Sequence, residues 1–148
     1  MKILFLSDAS SIHTKRWVNS IAEKGVVIHL FSLKPVETSE YPGENFSFTC
    51  FDMQKRFGGL SKLGYLKALP ALKKVISEFK PDIMHAHFAT SYGLLGALSG
   101  FHPFVLSVWG SDVFDFPKKS FLHRKILEYN LKRADKILST SNVMAVET

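Results

Sequence analysis

The stretch MKILFLSDASSIHTKRWVNSIAEKG, residues 1–25, decides the fold class of this chain. Its apolar run 2–7 predicts a short buried strand, because polar residues follow the run at once. Apolar side chains then recur at helical spacing over 13–24, and Gly25 marks the end of that helix. The stretch therefore predicts a strand, a loop and a helix, in that order.

The same alternation continues along the rest of the chain. Further strands are predicted over 26–31, 46–51, 83–88, 104–108 and 137–140, and further helices over 60–79, 91–98 and 120–134. Pro70 is expected to bend or split its helix, and Ser141 or Asn142 to cap a last one. Since the strands are almost continuously apolar, we predict an α/β fold: a Rossmann-like, doubly wound parallel sheet.

Composition narrows the class of protein. The chain has 148 residues, of which 46% are hydrophobic, and this suits one folded domain with its own core. The lone Cys50 excludes an internal disulfide framework and a cysteine-based zinc site. No run approaches the roughly 20 apolar residues that a membrane span needs, so we expect a cytoplasmic protein. The net charge of +6 predicts an anionic partner.

Polar side chains follow the predicted strands where each strand ends. In open parallel sheets, ligands bind at the carboxyl ends of the strands. The first such loop, residues 7–13, lacks the G-x-G-x-x-G fingerprint of dinucleotide sites, but it leads into a helix whose N-terminal amides could hold a phosphate. The other interpretation is that Ser10 or Ser11 simply caps that helix. Lys15 and Arg16 lie in its first turn, where cations oppose the helix dipole, which favours a role with an anion.

Two histidines stand two residues apart at the end of the fourth strand. His85 and His87 share one face of that strand, and such a pair can chelate zinc. The alternative interpretation is a buried His85 bonded to a neighbour, with His87 at the rim of a pocket. We predict no bound metal and no cofactor, and keep a zinc hydrolase as a lesser alternative.

The fifth strand ends in Trp109, Gly110, Ser111 and Asp112. Each of these residues has a bland interpretation: a core ring, a turn glycine, a capping carboxylate. Together at the end of a central strand they predict a pocket.

A further stretch, residues 53–77, combines an apolar stripe with positive charge. It contains no acidic residue, and its cations include Lys55, Arg56, Lys62 and Lys67. It is either an ordinary amphipathic helix or a segment that meets anionic lipid headgroups.

The stretches MKILFLSDASSIHTKRWVNSIAEKG, PDIMHAHFAT and LSVWGSDV occur in the order and spacing of the N-terminal domain of family 4 glycosyltransferases. The chain resembles that domain over nearly its whole length. The resemblance implies one half of a GT-B architecture, in which two Rossmann-like domains face each other across a cleft. It also implies a retaining transfer of a sugar from a nucleotide-diphosphate sugar to a glycan or lipid-linked acceptor, as in cell-surface polysaccharide synthesis.

The resemblance also implies roles for particular residues. The first loop, with Ser11 and His13, would face the donor diphosphate, and His87, Trp109, Gly110 and Asp112 would line the cleft. Family members often have a histidine at the position of Trp109. The tryptophan of this chain could stack on a sugar, but unlike histidine it could not accept a proton. No catalytic residue is assigned. A peripheral contact with the inner membrane face would involve Lys15, Arg16 and the basic stretch above.

The family's donor-binding C-terminal domain has no counterpart in this sequence. We therefore expect residues 1–148 to be the acceptor-side domain of a longer enzyme and to be inactive alone, because half a site cannot preorganise a transition state. The alternative is a non-catalytic Rossmann-like module that binds a nucleotide or phosphosugar. Nucleic acid is not an expected partner. The donor sugar, acceptor, linkage and oligomeric state do not follow from the sequence.

Overall fold

Strands and helices alternate along the chain in a computed structural model that describes residues 1–41, 44–53 and 64–148. The structure divides into two units, residues 1–82 and 83–148, which are described in turn. The predicted elements over the described residues are confirmed, with ends that differ by one or two residues, except at the helix predicted over 60–79.

The described residues of the first unit include three strands and two helices. These are β1 (Lys2–Leu6), α1 (Ile12–Ala22), β2 (Val27–Ser32), β3 (Phe46–Cys50) and α2 (Leu69–Phe79), with 3-10 turns at Thr38–Glu40 and Gly64–Ala68. The strands pair in parallel in the order β3-β2-β1. Large apolar side chains such as Phe5 and Phe31 are fully buried, as parallel strands covered on both faces require.

The helix predicted over 60–79 begins later than expected. Within the described residues a 3-10 turn occupies Gly64–Ala68, and α2 begins at Leu69. Pro70 lies in the first turn of α2, where its missing N–H costs nothing, so it begins the helix and does not bend it. Residues 60–63 lie outside the described residues.

The second unit carries the later motifs. It contains β4 (Ile83–His87), α3 (Ser91–Ser99), β5 (Phe104–Ser107), α4 (Ser111–Phe114), α5 (Phe121–Arg133), β6 (Lys136–Leu138) and α6 (Asn142–Glu147), with a 3-10 turn at Pro117–Lys119. The strands pair in parallel in the order β4-β5-β6. Ser141 caps α6 as predicted, since its hydroxyl accepts the Met144 N–H. The one-turn helix α4 was not predicted.

The small residues of α3 have a packing reason. A Cβ added to Gly96 would lie 2.6 Å from two ring atoms of the buried Phe104 on β5. No real side chain tolerates that distance, so glycine permits the close approach of α3 to β5. This packing fixes β4, α3 and β5 around the loops that follow the two strands.

Candidate functional site

The carboxylate of Asp112 joins the loops that follow β4 and β5. It is fully buried, and its two oxygens accept three backbone N–H groups. Oδ1 accepts from Trp109 and Gly110, each at 2.9 Å, and Oδ2 accepts from Ala89 at 2.8 Å. The sequence predicted a carboxylate presented to a cleft. The structure shows instead one that positions the backbone of both loops.

The loop after β4 is held from its other side by α5. The side-chain amide of Asn130, fully buried, donates to the Ala89 carbonyl at 2.8 Å. Phe88, the residue before, has a φ of 81°, a left-handed conformation that is rare for a bulky side chain. Because Ala89 is held at both its N–H and its carbonyl, the fold maintains this strained turn directly after His87.

Three aromatic rings lie in series at this end of β4 and β5. The rings of His85 and His87 meet edge to face with centroids 4.7 Å apart, and the Trp109 ring lies 5.4 Å from that of His87. Trp109 is half-buried and its indole nitrogen is shielded from solvent, so any part of its side chain that meets solvent is hydrocarbon. The expected rim position of His87 needs correction, because His87 is only 3% exposed.

His85 is buried and bonded to a neighbour, as the second interpretation predicted. Its Nε2 lies 2.8 Å from the Ser107 hydroxyl on β5. Burial lowers the pKa of His85 from 6.5 to about 4, because the charged imidazolium would lose its hydration. His85 is therefore neutral at physiological pH and acts as a polar link between the two strands.

The pKa of His85 predicts a loss of stability in mild acid. An unfolded histidine takes up a proton as pH falls through about 6.5, whereas folded His85 does so only near 4. Its contribution is thus complete above pH 6.5 and is lost as pH falls toward 4, by about 3 kcal/mol in all. We expect His85→Gln, measured by urea denaturation from pH 7 to 4.5, to flatten this dependence. An unchanged pH profile in the variant would contradict the assignment.

The first loop lies in the other unit. Neither serine caps α1: Ser11 occupies the N-cap position without a side-chain bond, and the Ser10 hydroxyl donates to Asp8. Burial works to raise the pKa of Asp8, but hydrogen bonds from Lys34 and Ser10 outweigh it and hold the pKa below its usual value. The Asp8–Lys34 ion pair was not predicted. Lys34, which follows β2, balances the charge of the Asp8 carboxylate.

Other predicted contacts of this unit are distributed over its surface. His13 and Arg16 are exposed on α1, and Lys15 forms an ion pair with Glu40. Lys67 is exposed in the 3-10 turn before α2. The remaining predicted cations, Lys55, Arg56 and Lys62, lie outside the described residues. The Glu40 carboxylate neutralises the charge of Lys15 locally. The unfavourable position of Lys15 in the first turn of α1 is therefore a weaker argument for a bound anion at that turn.

Within residues 1–41, 44–53 and 64–148, no three His, Cys, Asp or Glu side chains are grouped so that they could hold a metal ion. Within the described residues, the zinc hypothesis therefore has no third candidate ligand beside His85 and His87, and His85 already forms a hydrogen bond with Ser107. Over the same residues, no helix has the length and apolar composition needed to cross a bilayer.

Two positioning residues were missed from the sequence. The sequence pattern could have identified Asn130, because it is a polar residue on the buried side of α5, three positions after the buried Leu127. No sequence pattern could have identified Phe88, since a left-handed turn is expected at glycine or asparagine. Both belong to the support of the loop that directly follows His87.

Comparison with known proteins gives the chain its relatives. The model of the glycosyl transferase 4-like family matches residues 2–141. An uncharacterized glycosyltransferase of Methanocaldococcus jannaschii is 28% identical over 134 residues, covering 88% of this chain and 36% of that protein. The chain thus spans about a third of the length of this curated relative.

Solved structures share the fold at low identity. They include UDP-GlcNAc 2-epimerase from Neisseria meningitidis bound to UDP-GlcNAc, with a TM-score of 0.69, 11% identity, and coverage of 99% of this chain and 42% of that chain. Sucrose-phosphate synthase from Thermosynechococcus elongatus has a TM-score of 0.66 and 12% identity, with 99% and 44% coverage. These similarities show the predicted fold, the α/β, Rossmann-like fold of GT-B proteins, and nothing beyond it.

Proposed function

The chain belongs to the glycosyl transferase 4-like family, and from this premise we propose that it is the acceptor-side domain of a retaining glycosyltransferase. The proposed donor is a nucleotide-diphosphate sugar, and the proposed acceptor is a glycan or lipid-linked sugar in cell-surface polysaccharide synthesis. One structural neighbour is named as binding UDP-GlcNAc, and we extend that donor class to this protein. The proposed location is the cytoplasm, at or near the inner membrane face.

The arrangement around Asp112 is the observation that carries this proposal. One buried carboxylate fixes three amides of two loops and so sets Trp109 beside His87 at the carboxyl ends of β4 and β5. A flat indole can stack on the apolar face of a sugar ring and exclude water from it. Fixed loops of this kind hold a substrate in reactive geometry without reorganisation. Trp109 is accordingly assigned to shape the sugar site, and Asp112 and Gly110 to position it.

The remaining roles follow from the family. Ser11 and His13, at the start of α1, are assigned to the donor diphosphate, for which helix N-terminal amides are suitable partners. The donor nucleotide is assigned mainly to a C-terminal domain outside residues 1–148. A single domain then lacks the opposing groups that stabilise the departing diphosphate, and we expect the chain alone to be inactive. The alternative of a non-catalytic phosphosugar-binding module predicts binding without turnover in the longer protein too.

The proposal predicts acceptor-dependent transfer with retention. The longer protein that contains this chain would be incubated with a panel of uridine, guanosine and adenosine diphosphate hexoses and a membrane glycolipid extract. We expect one donor to yield a glycosylated product whose linkage keeps the donor's anomeric configuration, read by mass spectrometry and NMR. Inversion, or clear turnover by residues 1–148 alone, would contradict it. Binding without product would favour the module.

A further inference from the structure

Positive charge is concentrated in two stretches of this protein, the basic stretch 53–77 and one helix of the second unit. Residues 118–136, at that helix, carry seven lysines and arginines against two carboxylates, a net charge of +5. This segment comprises α5, the 3-10 turn before it and the start of β6. This helix is therefore a second candidate position for the anionic partner predicted from composition, beside the basic stretch 53–77, of whose six cations three lie outside the described residues.

The same helix exposes apolar side chains among those cations. Phe121 is 76% exposed and the adjacent Leu122 is 63% exposed, in the first turn of α5. Further along the helix Tyr129 is 42% exposed, whereas Leu127 and Asn130 are buried against the unit. We define the α5 surface by its exposed members Lys118, Lys119, Phe121, Leu122, Lys125 and Tyr129. It combines hydrocarbon, an aromatic hydroxyl and positive charge on one outward face.

Ion pairs within the chain account for only part of this positive charge. The first turn of α5 contains no acidic residue, and the preceding turn contains Lys118 and Lys119, although cations near a helix N-terminus are unfavourable. Glu128 pairs with Arg124 and Lys125, at 3.0 and 2.8 Å. Among the described residues, no ion pair involves Lys118 or Lys119. An external anion would balance the charge that these two lysines place beside the N-terminus of α5.

We infer that the α5 surface docks on an anionic lipid bilayer. Lysines beside exposed aromatic and aliphatic side chains match the boundary between charged headgroups and acyl chains, where Phe121 and Leu122 would insert and Tyr129 would lie at headgroup level. A nucleic acid would use the cations and could stack a base on Phe121, but it offers no environment for Leu122. A bilayer uses every member of the surface.

The docking surface and the candidate site share this helix. On its buried side, Asn130 holds the Ala89 carbonyl of the loop after β4, while its outward side carries the exposed Tyr129. Docking through α5 would therefore hold the sugar-binding loops at a fixed distance from the membrane, which suits a lipid-linked acceptor. The link to a lipid-linked acceptor rests on the proposed function, but lipid binding itself requires no donor, acceptor or transfer.

Vesicle sedimentation of the 148-residue chain tests the inference. We expect it to sediment with vesicles of 30% phosphatidylglycerol in phosphatidylcholine at low salt, and not with pure phosphatidylcholine. Each lysine near such a surface contributes about 1 kcal/mol, so Lys118→Glu with Lys119→Glu should weaken binding at least about tenfold. The matched control, Lys73→Glu with Lys74→Glu on α2, reverses equal charge at exposed positions of the first unit and should bind as the wild type does.

A second pair of variants separates insertion from simple charge attraction. Phe121→Ser with Leu122→Ser should also weaken binding about tenfold, whereas Val143→Ser with Val146→Ser, at exposed positions of α6, should not. The inference is overturned if the α2 control loses as much binding as the α5 variant, or if the serine pair at α5 binds normally. It is also overturned if the chain binds a single-stranded RNA homopolymer and not the vesicles. Failure of sugar transfer would leave all these results unchanged.

Discussion

Asp112→Ala is expected to lower the free energy of unfolding by about 4 kcal/mol. The substitution leaves the N–H groups of Ala89, Trp109 and Gly110 without their acceptor in a buried position. Each buried group that loses its partner costs about 1–3 kcal/mol, and entering water would recover part of the sum. Since a domain of this kind is stable by roughly 5–15 kcal/mol, the variant should unfold at a much lower urea concentration.

Two further substitutions make this result interpretable. Asp112→Asn keeps one acceptor oxygen but turns an NH₂ group toward an N–H, so we expect an intermediate loss of about 2 kcal/mol. Asp115→Ala removes an exposed carboxylate three residues later and should change stability by less than about 0.5 kcal/mol. Urea denaturation followed by circular dichroism measures all three. Equal midpoints for Asp112→Ala and Asp115→Ala would show that the buried carboxylate does not hold the loops.

The fold could be read from the sequence because its strands are locally encoded. The apolar run of β1 ends abruptly at Ser7 and Asp8, and positions such as Gly25 and Ser141 mark helix ends by local chemistry. The resemblance to family 4 glycosyltransferases depended on the same stretches, and the family match confirms it. Pro70 was misinterpreted because proline breaks a helix interior but suits a first turn, and the sequence alone did not fix where α2 begins.

The sequence predicted polar loops at the ends of β4 and β5, and the structure brings those loops together, but the contacts of each side chain could not be predicted. The contact of Asp112 with Ala89 spans 23 residues, and only the pairing of β4 with β5 brings the two together. From the sequence, Asp112 is simply a carboxylate two residues after a glycine. A bound ligand and backbone amides are then equally good candidates for its hydrogen-bond partners. The strained Phe88 and the clamp from Asn130 likewise arise from packing between elements.

The second large effect concerns Trp109. If its ring stacks on a sugar, truncation to alanine removes about 80 Å² of apolar contact, worth about 2 kcal/mol. When that contact forms in the transition state, kcat/KM should fall about 30-fold. Trp109→Phe keeps a flat ring in place and should retain most of the rate. The Trp109 side chain is only half-buried, so circular dichroism should show that both variants remain folded.

The rates of these two variants therefore test the central claim most directly: that the ends of β4 and β5 form the sugar site of a transferase. The measurement is kcat/KM for sugar transfer by the proposed longer transferase, with wild-type, Trp109→Phe and Trp109→Ala sequences compared under identical conditions. The account predicts a loss of about 30-fold for alanine and less than about fivefold for phenylalanine. Equal rates for all three folded proteins would contradict it and place the sugar elsewhere.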